Sequence, residues 1–316
     1  MSWLLSPSLL TGVALAAFLY VLGSRRRLPR HRVRRAFAFG ASLILLDVVL
    51  CPGFDRVADE SLAGHMLQHV VLMSVVPPLI LLAAPWLTIW RGLPLELRRS
   101  LARWVVTLPA PVRRGLRGLV APLPAWLLIN VDMGIWHVPW LYDLTLRSAP
   151  VHYVEHATFL VFGILFWIPV LDSPPLRARL GQLQRVVFVT AGATVGWLLA
   201  LVLAFAPTPL YPAYAALGHR LGGLSALGDQ QLAAGVMLGI GSIPFTIALF
   251  VFLYRWLDEE RPARPRLSRE KAVPAVTAAP KPCSRPAPGT GRFATSLNQR
   301  DDAVRVRASS SRRSRT

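Results

Sequence analysis

Long apolar stretches, separated by short connections rich either in arginine or in Pro and Gly, fill the chain as far as Trp256. They recur at 8–22, 36–52, 66–90, 119–141, 153–171, 186–206 and 231–254. Each approaches the ~20 residues that cross a ~30 Å hydrocarbon core at ~1.5 Å per residue. The pattern predicts an all-α integral membrane protein, a seven-transmembrane helix bundle over residues 1–257. The second run is at the short end and borrows flanking residues. The first has no basic region before it and reaches spanning length, so it is expected to stay as a helix rather than leave as a signal peptide.

The polar connections alternate in charge. "SRRRLPRHRVRR", "RGLPLELRRSLARW…VRRGLRG" and "PPLRARLGQLQR" are dense in arginine, whereas "CPGFDRVADESLAG", "PWLYDLTLRSAP" and the long connection before "GDQQ" are not. The positive-inside rule places the first set in the cytoplasm, giving an outside N-terminus and a cytoplasmic C-terminus. Within 91–117, Leu, Trp104 and Val interleave with arginines, as in a helix lying on the inner surface or a solvated basic connector. Residues 258–316 are rich in Pro, Ser and Arg and nearly free of aromatics, which predicts a disordered basic cytoplasmic tail.

Composition agrees: 53% of the 316 residues are hydrophobic and 16% charged, yet the net charge is +19, a combination foreign to a soluble domain. On a membrane protein that charge points to anionic headgroups, not nucleic acid. The two cysteines, Cys51 and Cys283, fall on opposite sides of the predicted membrane, so they cannot form an intrachain disulfide.

Against this apolar background the histidines stand out. Five of seven, His65, His69, His137, His152 and His156, lie at or near the outer ends of the third, fourth and fifth runs. His65 and His69 are four apart, as are His152 and His156, so each pair shares a helical face with a spacing able to chelate one metal ion. Met66, Gln68, Met133, Glu155, Asp47, Cys51, Asp132 and Asp229 lie at similar depth. Each histidine alone has an ordinary alternative, a hydrogen bond to a neighbouring helix. Several ionisable groups converging on one leaflet favour a site. Imidazole with thioether suits copper and imidazole with carboxylate suits zinc or iron, so residue type allows copper without selecting it. Pro77-Pro78, inside the third run, predicts a kink or break there. There is no Gly-rich phosphate loop, no nucleophile elbow, no repeated CxxC and no His-Glu-x-x-His.

"HMLQHVVLMSVVPPLILLAAP" (65–85), "WHVPWLYDLTLRSAPVHYVEHATFLVFGILFWIPVLD" (136–172), "LYPAYA" (210–215) and "DQQLAAGVML" (229–238) occur in an order that resembles the polytopic bacterial cytochrome c oxidase assembly factor family, CtaG, over roughly residues 5–257. The matching positions are His65, Met66, Gln68, His69, Trp136, His137, His152, Glu155, His156, Asp229 and Gln230. One departure is "LGIGSIP" (238–244), where the family's pattern carries a tryptophan. The resemblance implies a multi-pass protein of the bacterial plasma membrane that is not an enzyme and has no catalytic residues. It would help mature a haem-copper cytochrome c oxidase by handling copper, as Cu(I), through the outer histidines in an open, exchangeable site. Its partners would be the oxidase subunit carrying the copper B centre and copper chaperones. The residues also admit a zinc-dependent membrane hydrolase using Asp47, Asp132 or Asp229, bis-histidine haem binding, or a metal-free scaffold.

Overall fold

The structure is a computed structural model that describes residues 7–24, 31–218 and 220–260. These all fall in one compact unit, Met1–Pro262. The basic tail from 261 onward, with Cys283, and the arginine-rich segment 25–30 lie outside the described residues.

Among the described residues every regular element is helical. In order they are α1 (Pro7–Ser24), α2 (His31–Val49), α3 (Pro52–Glu60), α4 (Leu62–Val70), α5 (Val76–Ala83), α6 (Trp86–Gly92), α7 (Leu95–Thr107) and α8 (Ala110–Leu119). They continue with α9 (Pro122–Trp136), α10 (Pro139–Arg147), α11 (Ala149–Trp167), α12 (Gln182–Phe205), α13 (Pro212–Ala215), α14 (Ala226–Leu238) and α15 (Ile243–Glu259). Prolines punctuate the bundle: Pro52, Pro122, Pro139, Pro150, Pro212 and Pro244 occupy the first or second helical position, where a missing amide is harmless.

Four helices are long and apolar enough to cross a membrane: Leu62–Ala83, Ala149–Trp167, Gln182–Phe205 and Ala226–Glu259. The count rises to six if two bent pairs are each one span, Val33–Val49 with Pro52–Glu60 at 56° and Ala110–Leu119 with Pro122–Trp136 at 69°. The first run is a shorter apolar helix, Leu10–Ser24. It packs on α6 through glycines: a Cβ on Gly23 would lie 1.9 Å from the Thr88 carbonyl oxygen, and one on Gly92 2.3 Å from that of Leu19. Seven uniform spans are therefore more regular than the fold itself.

The helix Leu62–Ala83 lies at the centre. Its most apolar stretch is 67% buried, against 17–28% for the other three. It meets α3 and α14 through its first half, and α2 through α5. The predicted 66–90 run does not continue as one helix. It stops at Ala83, where Ala84 takes a left-handed conformation (φ 45°, ψ 55°), and α6 begins afresh at Trp86.

Pro77-Pro78 does not break the helix. A π-helical segment, Val71–Val75, stands immediately before the prolines, and the Val76 amide donates to the Val71 carbonyl five residues back. Proline at 77 deprives the Met73 carbonyl of its usual amide partner. Gly163 of α11 packs closely there: a Cβ on it would lie 2.6 Å from the Met73 oxygen and 2.8 Å from Pro77 Cγ.

The connections read as loops are largely short helices. α3, α10 and α13 lie beside the His-bearing end of α4, with Tyr142, Tyr211 and Tyr214 in one core cluster with Leu62, Ala63 and Met66. The basic connector becomes α7 and α8, neither with a buried residue, and Leu101, Trp104 and Val105 of α7 are exposed. "LGIGSIP" contains a short 3-10 turn, Ile240–Ser242. There a Cβ on Gly241 would sit 3.4 Å from Val70, next in sequence to His69.

Candidate metal centre

α4 brings in the first pair of histidines, and its register is set from another helix. Asp229 of α14 accepts hydrogen bonds from the Ser61 hydroxyl at 2.8 Å, the Leu62 amide at 2.7 Å and the Ala63 amide at 3.1 Å. A carboxylate on the free amides of a helix N-terminus satisfies donors that have no intrahelical partner and complements the helix dipole. Asp229 thus holds α4 so that His65 and His69, in its next two turns, face Glu155.

α11 supplies the opposing side. It starts at Ala149 with Pro150 in its second position, and its first two turns carry His152, Glu155 and His156. Oε2 of Glu155 lies 3.7 Å from His65 Nε2, and Oε1 lies 3.5 Å from His69 Nε2. His65, His69, Glu155 and His156 each present one ligand atom to a group whose members all lie within 4.8 Å of one another. His65 and Glu155 have no exposed surface, and the site is enclosed. This differs from the open arrangement expected of a transfer site, because α3, α10 and α13 form helices where loops were predicted.

The other two histidines flank this group. The His152 ring centroid is 4.1 Å from that of His156 and 5.1 Å from that of His65, and its residue is only partly buried. His137, at the end of α9, lies 6.3 Å from His69 between ring centroids. Its Nδ1 donates to the Met133 carbonyl at 2.7 Å, which fixes the proton there and leaves Nε2 with a lone pair.

Tyr214 does the same for His65. The Tyr214 hydroxyl donates to the Ala58 carbonyl, and His65 Nδ1 lies 3.0 Å from the phenol oxygen, so the imidazole proton is on Nδ1 and Nε2 is free to accept. Burial pushes the Tyr214 phenol well above its usual range, so it stays a donor. His65 Nε2, both ring nitrogens of His69, Nε2 of His137, His152 and His156, and both Glu155 oxygens are buried with no hydrogen-bond partner among the described residues. Buried polar atoms are nearly always paired. One nitrogen of each neutral ring carries a proton, and the remaining unpaired acceptors of His65, His69, His156 and Glu155, gathered within 4.8 Å, fit a cation.

The remaining polar residues position the site or fill space around it. Asp47, Cys51, Asp132 and Asp229 contribute no atom to the close group. Gln68 donates to the Val49 carbonyl at 2.7 Å and to Asp55 Oδ1 at 2.8 Å, clamping the α2–α3 bend. Gln230 donates to the Leu203 carbonyl and accepts from the Leu210 amide, tying the end of α12 to α14. Asp132 accepts from Trp136 Nε1 at 2.9 Å. Met66 is wholly buried in the tyrosine cluster, and Met133 packs with Trp136 and Phe159. Tyr142, whose ring lies 5.0 Å from that of His65, and Tyr214 escaped the sequence reading because tyrosine in a short connection is common at membrane interfaces.

Neither a curated protein nor a solved structure matches this chain. Residues 16–259 match the family described as cytochrome c oxidase caa3 assembly factor, a range that includes all five histidines and Glu155. With more than half its length matched, and in agreement with the resemblance carried by its His-bearing segments, the chain belongs to the caa3-type cytochrome c oxidase assembly factor family.

Proposed function

We propose that this assembly factor holds copper among His65, His69, His156 and Glu155 and surrenders it to the oxidase subunit that carries the copper B centre. It would do so as a seven-helix protein of the bacterial plasma membrane, N-terminus outside, with copper chaperones as the source. The observation that carries this reading is the convergence of four ligand-bearing side chains within 4.8 Å, with their lone pairs otherwise unpaired.

Charge favours Cu(I). Glu155 is the one carboxylate in the group. A monovalent ion beside one carboxylate is neutral overall, whereas a dication leaves a net positive charge in a site without exposed surface, and uncompensated buried charge is costly. His152, partly exposed and against His156, serves as the ligand at which an ion enters or leaves. His137 supports the inner side. Stepwise exchange between neighbouring imidazoles avoids a naked ion in a low-dielectric interior.

The alternatives fare less well. A zinc hydrolase needs a carboxylate base beside its metal, and Asp47, Asp132 and Asp229 contribute no atom to the close group. A bis-histidine haem needs a porphyrin-sized slot between two imidazoles, and here the space is taken by side chains, with Tyr142 5.0 Å from His65 and Phe159 4.7 Å from His69 between ring centroids. Histidines kept only for packing would be hydrogen-bonded on both nitrogens more often than these are.

The test is made in cells lacking the native protein. Oxidase from cells carrying His65→Ala/His69→Ala is expected to contain haem but to lack copper at the B centre, with partial rescue by excess copper in the medium. A fully metallated oxidase would contradict the proposal.

A further inference from the structure

At the other end of α11 from Glu155, a groove of about 520 Å³ runs between α5, the start of α12 and α15. Its walls are aliphatic, and Leu82, Ile243, Ile247 and Val251 present 53%, 54%, 59% and 41% of their surface outward. One end is basic on balance. Arg185 and Arg255 line it together with Asp172.

Arg185 is the unusual member. It is 8% exposed and lies in the first turns of α12, where the helix dipole is already positive. Its Nε donates to the Leu180 carbonyl at 2.8 Å, and its guanidinium lies over Phe252, 5.3 Å from the ring centroid. Asp172 is 3.8 Å away, beyond hydrogen-bond reach, and its side chain is 63% exposed. Oδ1 of that carboxylate is engaged by the Ala178 amide at 3.0 Å. Two arginines thus face one carboxylate, which pairs loosely with Arg185 at 3.8 Å, and leave a net positive charge at the mouth of a slot with largely apolar walls. An anion with a long apolar body satisfies both halves; a free phosphate satisfies only the basic end.

We infer that this groove binds one anionic glycerophospholipid, its phosphate on Arg185 and Arg255 and an acyl chain along Leu79, Leu82, Ile247 and Val251. Basic pockets between transmembrane helices are recognised settings for acidic headgroups. This site is separate from the imidazole cluster and stands whether or not copper binds.

The full-length protein, purified in a neutral detergent, is titrated with phosphatidylglycerol and with phosphatidylcholine of the same chain length, and retained lipid is counted by native mass spectrometry. The wild type is expected to keep one phosphatidylglycerol with at least about a tenfold preference, as two arginines at one acidic headgroup would give. Arg185→Gln/Arg255→Gln loses this one tightly retained phosphatidylglycerol and lowers the preference at least several-fold. Arg255→Gln alone, at an exposed position, cuts the preference several-fold without threatening the fold. Ile247→Trp fills the slot and lowers retention of the preferred lipid, while leaving intact any binding to the basic residues beyond 260. Equal retention of the two lipids by the wild type overturns the inference. So does a preference unchanged in the arginine variants or in Ile247→Trp.

Discussion

The Tyr214 hydroxyl sets which nitrogen of His65 faces Glu155. Because the phenol donates to the Ala58 carbonyl, His65 Nδ1 must donate to the phenol oxygen at 3.0 Å, and Nε2 turns its lone pair towards the carboxylate 3.7 Å away. Groups that orient a metal-binding imidazole typically contribute about 10- to 100-fold to affinity. Tyr214→Phe is therefore expected to weaken Cu(I) binding by about that factor, measured by competition with a chromophoric Cu(I) chelator, and to leave the protein folded. Unaltered affinity would show that His65 does not need this partner.

Glu155 supplies the negative charge of the cluster. Glu155→Gln keeps the shape and removes the charge, so a bound cation becomes an uncompensated buried charge, whose cost is about 3–5 kcal/mol when one partner of a buried pair is deleted. Copper retained after dialysis against a chelator should fall far more in this variant than in His137→Ala, whose ring only flanks the group.

Asp229 acts on α4 rather than on metal. Its carboxylate satisfies the Leu62 and Ala63 amides and the Ser61 hydroxyl, all buried. Loss of a helix cap costs about 0.5–2 kcal/mol, and more when the amides are left without water. Asp229→Ala is predicted to lower the thermal midpoint in detergent and to reduce copper occupancy indirectly, with the residual sites keeping near-normal affinity. A normal midpoint would remove Asp229 from the framework of the site.

Gly163 is required by backbone proximity. Any Cβ there meets the Met73 carbonyl at 2.6 Å, and backbone at the π segment cannot yield as a side-chain tip can. Gly163→Ala is expected to cost about 1–3 kcal/mol, as overpacked cores do. Gly134→Ala, where nothing lies within 4 Å, is the matched control and should be neutral or stabilising by about 0.5–1 kcal/mol. Thermal unfolding of the two variants side by side checks the contrast.

Much of this was legible in the chain, in proportion to how local its cause is. The gathering of His65, His69, His137, His152 and His156 follows from four-residue spacing and from all five lying at one side of the apolar runs. Glu155 reads as a supporting candidate at the right depth, and its place between His65 and His69 is not legible because a sequence does not say which face of α11 meets α4. Asp229, Gln68 and Gln230 look like candidate ligands, since capping and clamping across helices depend on tertiary contacts that no spacing encodes. Pro77-Pro78 announces a disturbance, but a π segment that absorbs it upstream depends on the packing of Gly163 against Met73. The even spacing of apolar runs hid the bends at 56° and 69°, because hydropathy reports burial and not direction.

The most direct test of the account is the copper content of the purified full-length protein, loaded with Cu(I) under reducing conditions, beside that of His65→Ala/His69→Ala prepared identically. The account predicts a single chelator-resistant copper ion in the wild type and loss of that ion in the variant, with both proteins unfolding at similar temperatures. Equal copper in the two proteins would contradict it.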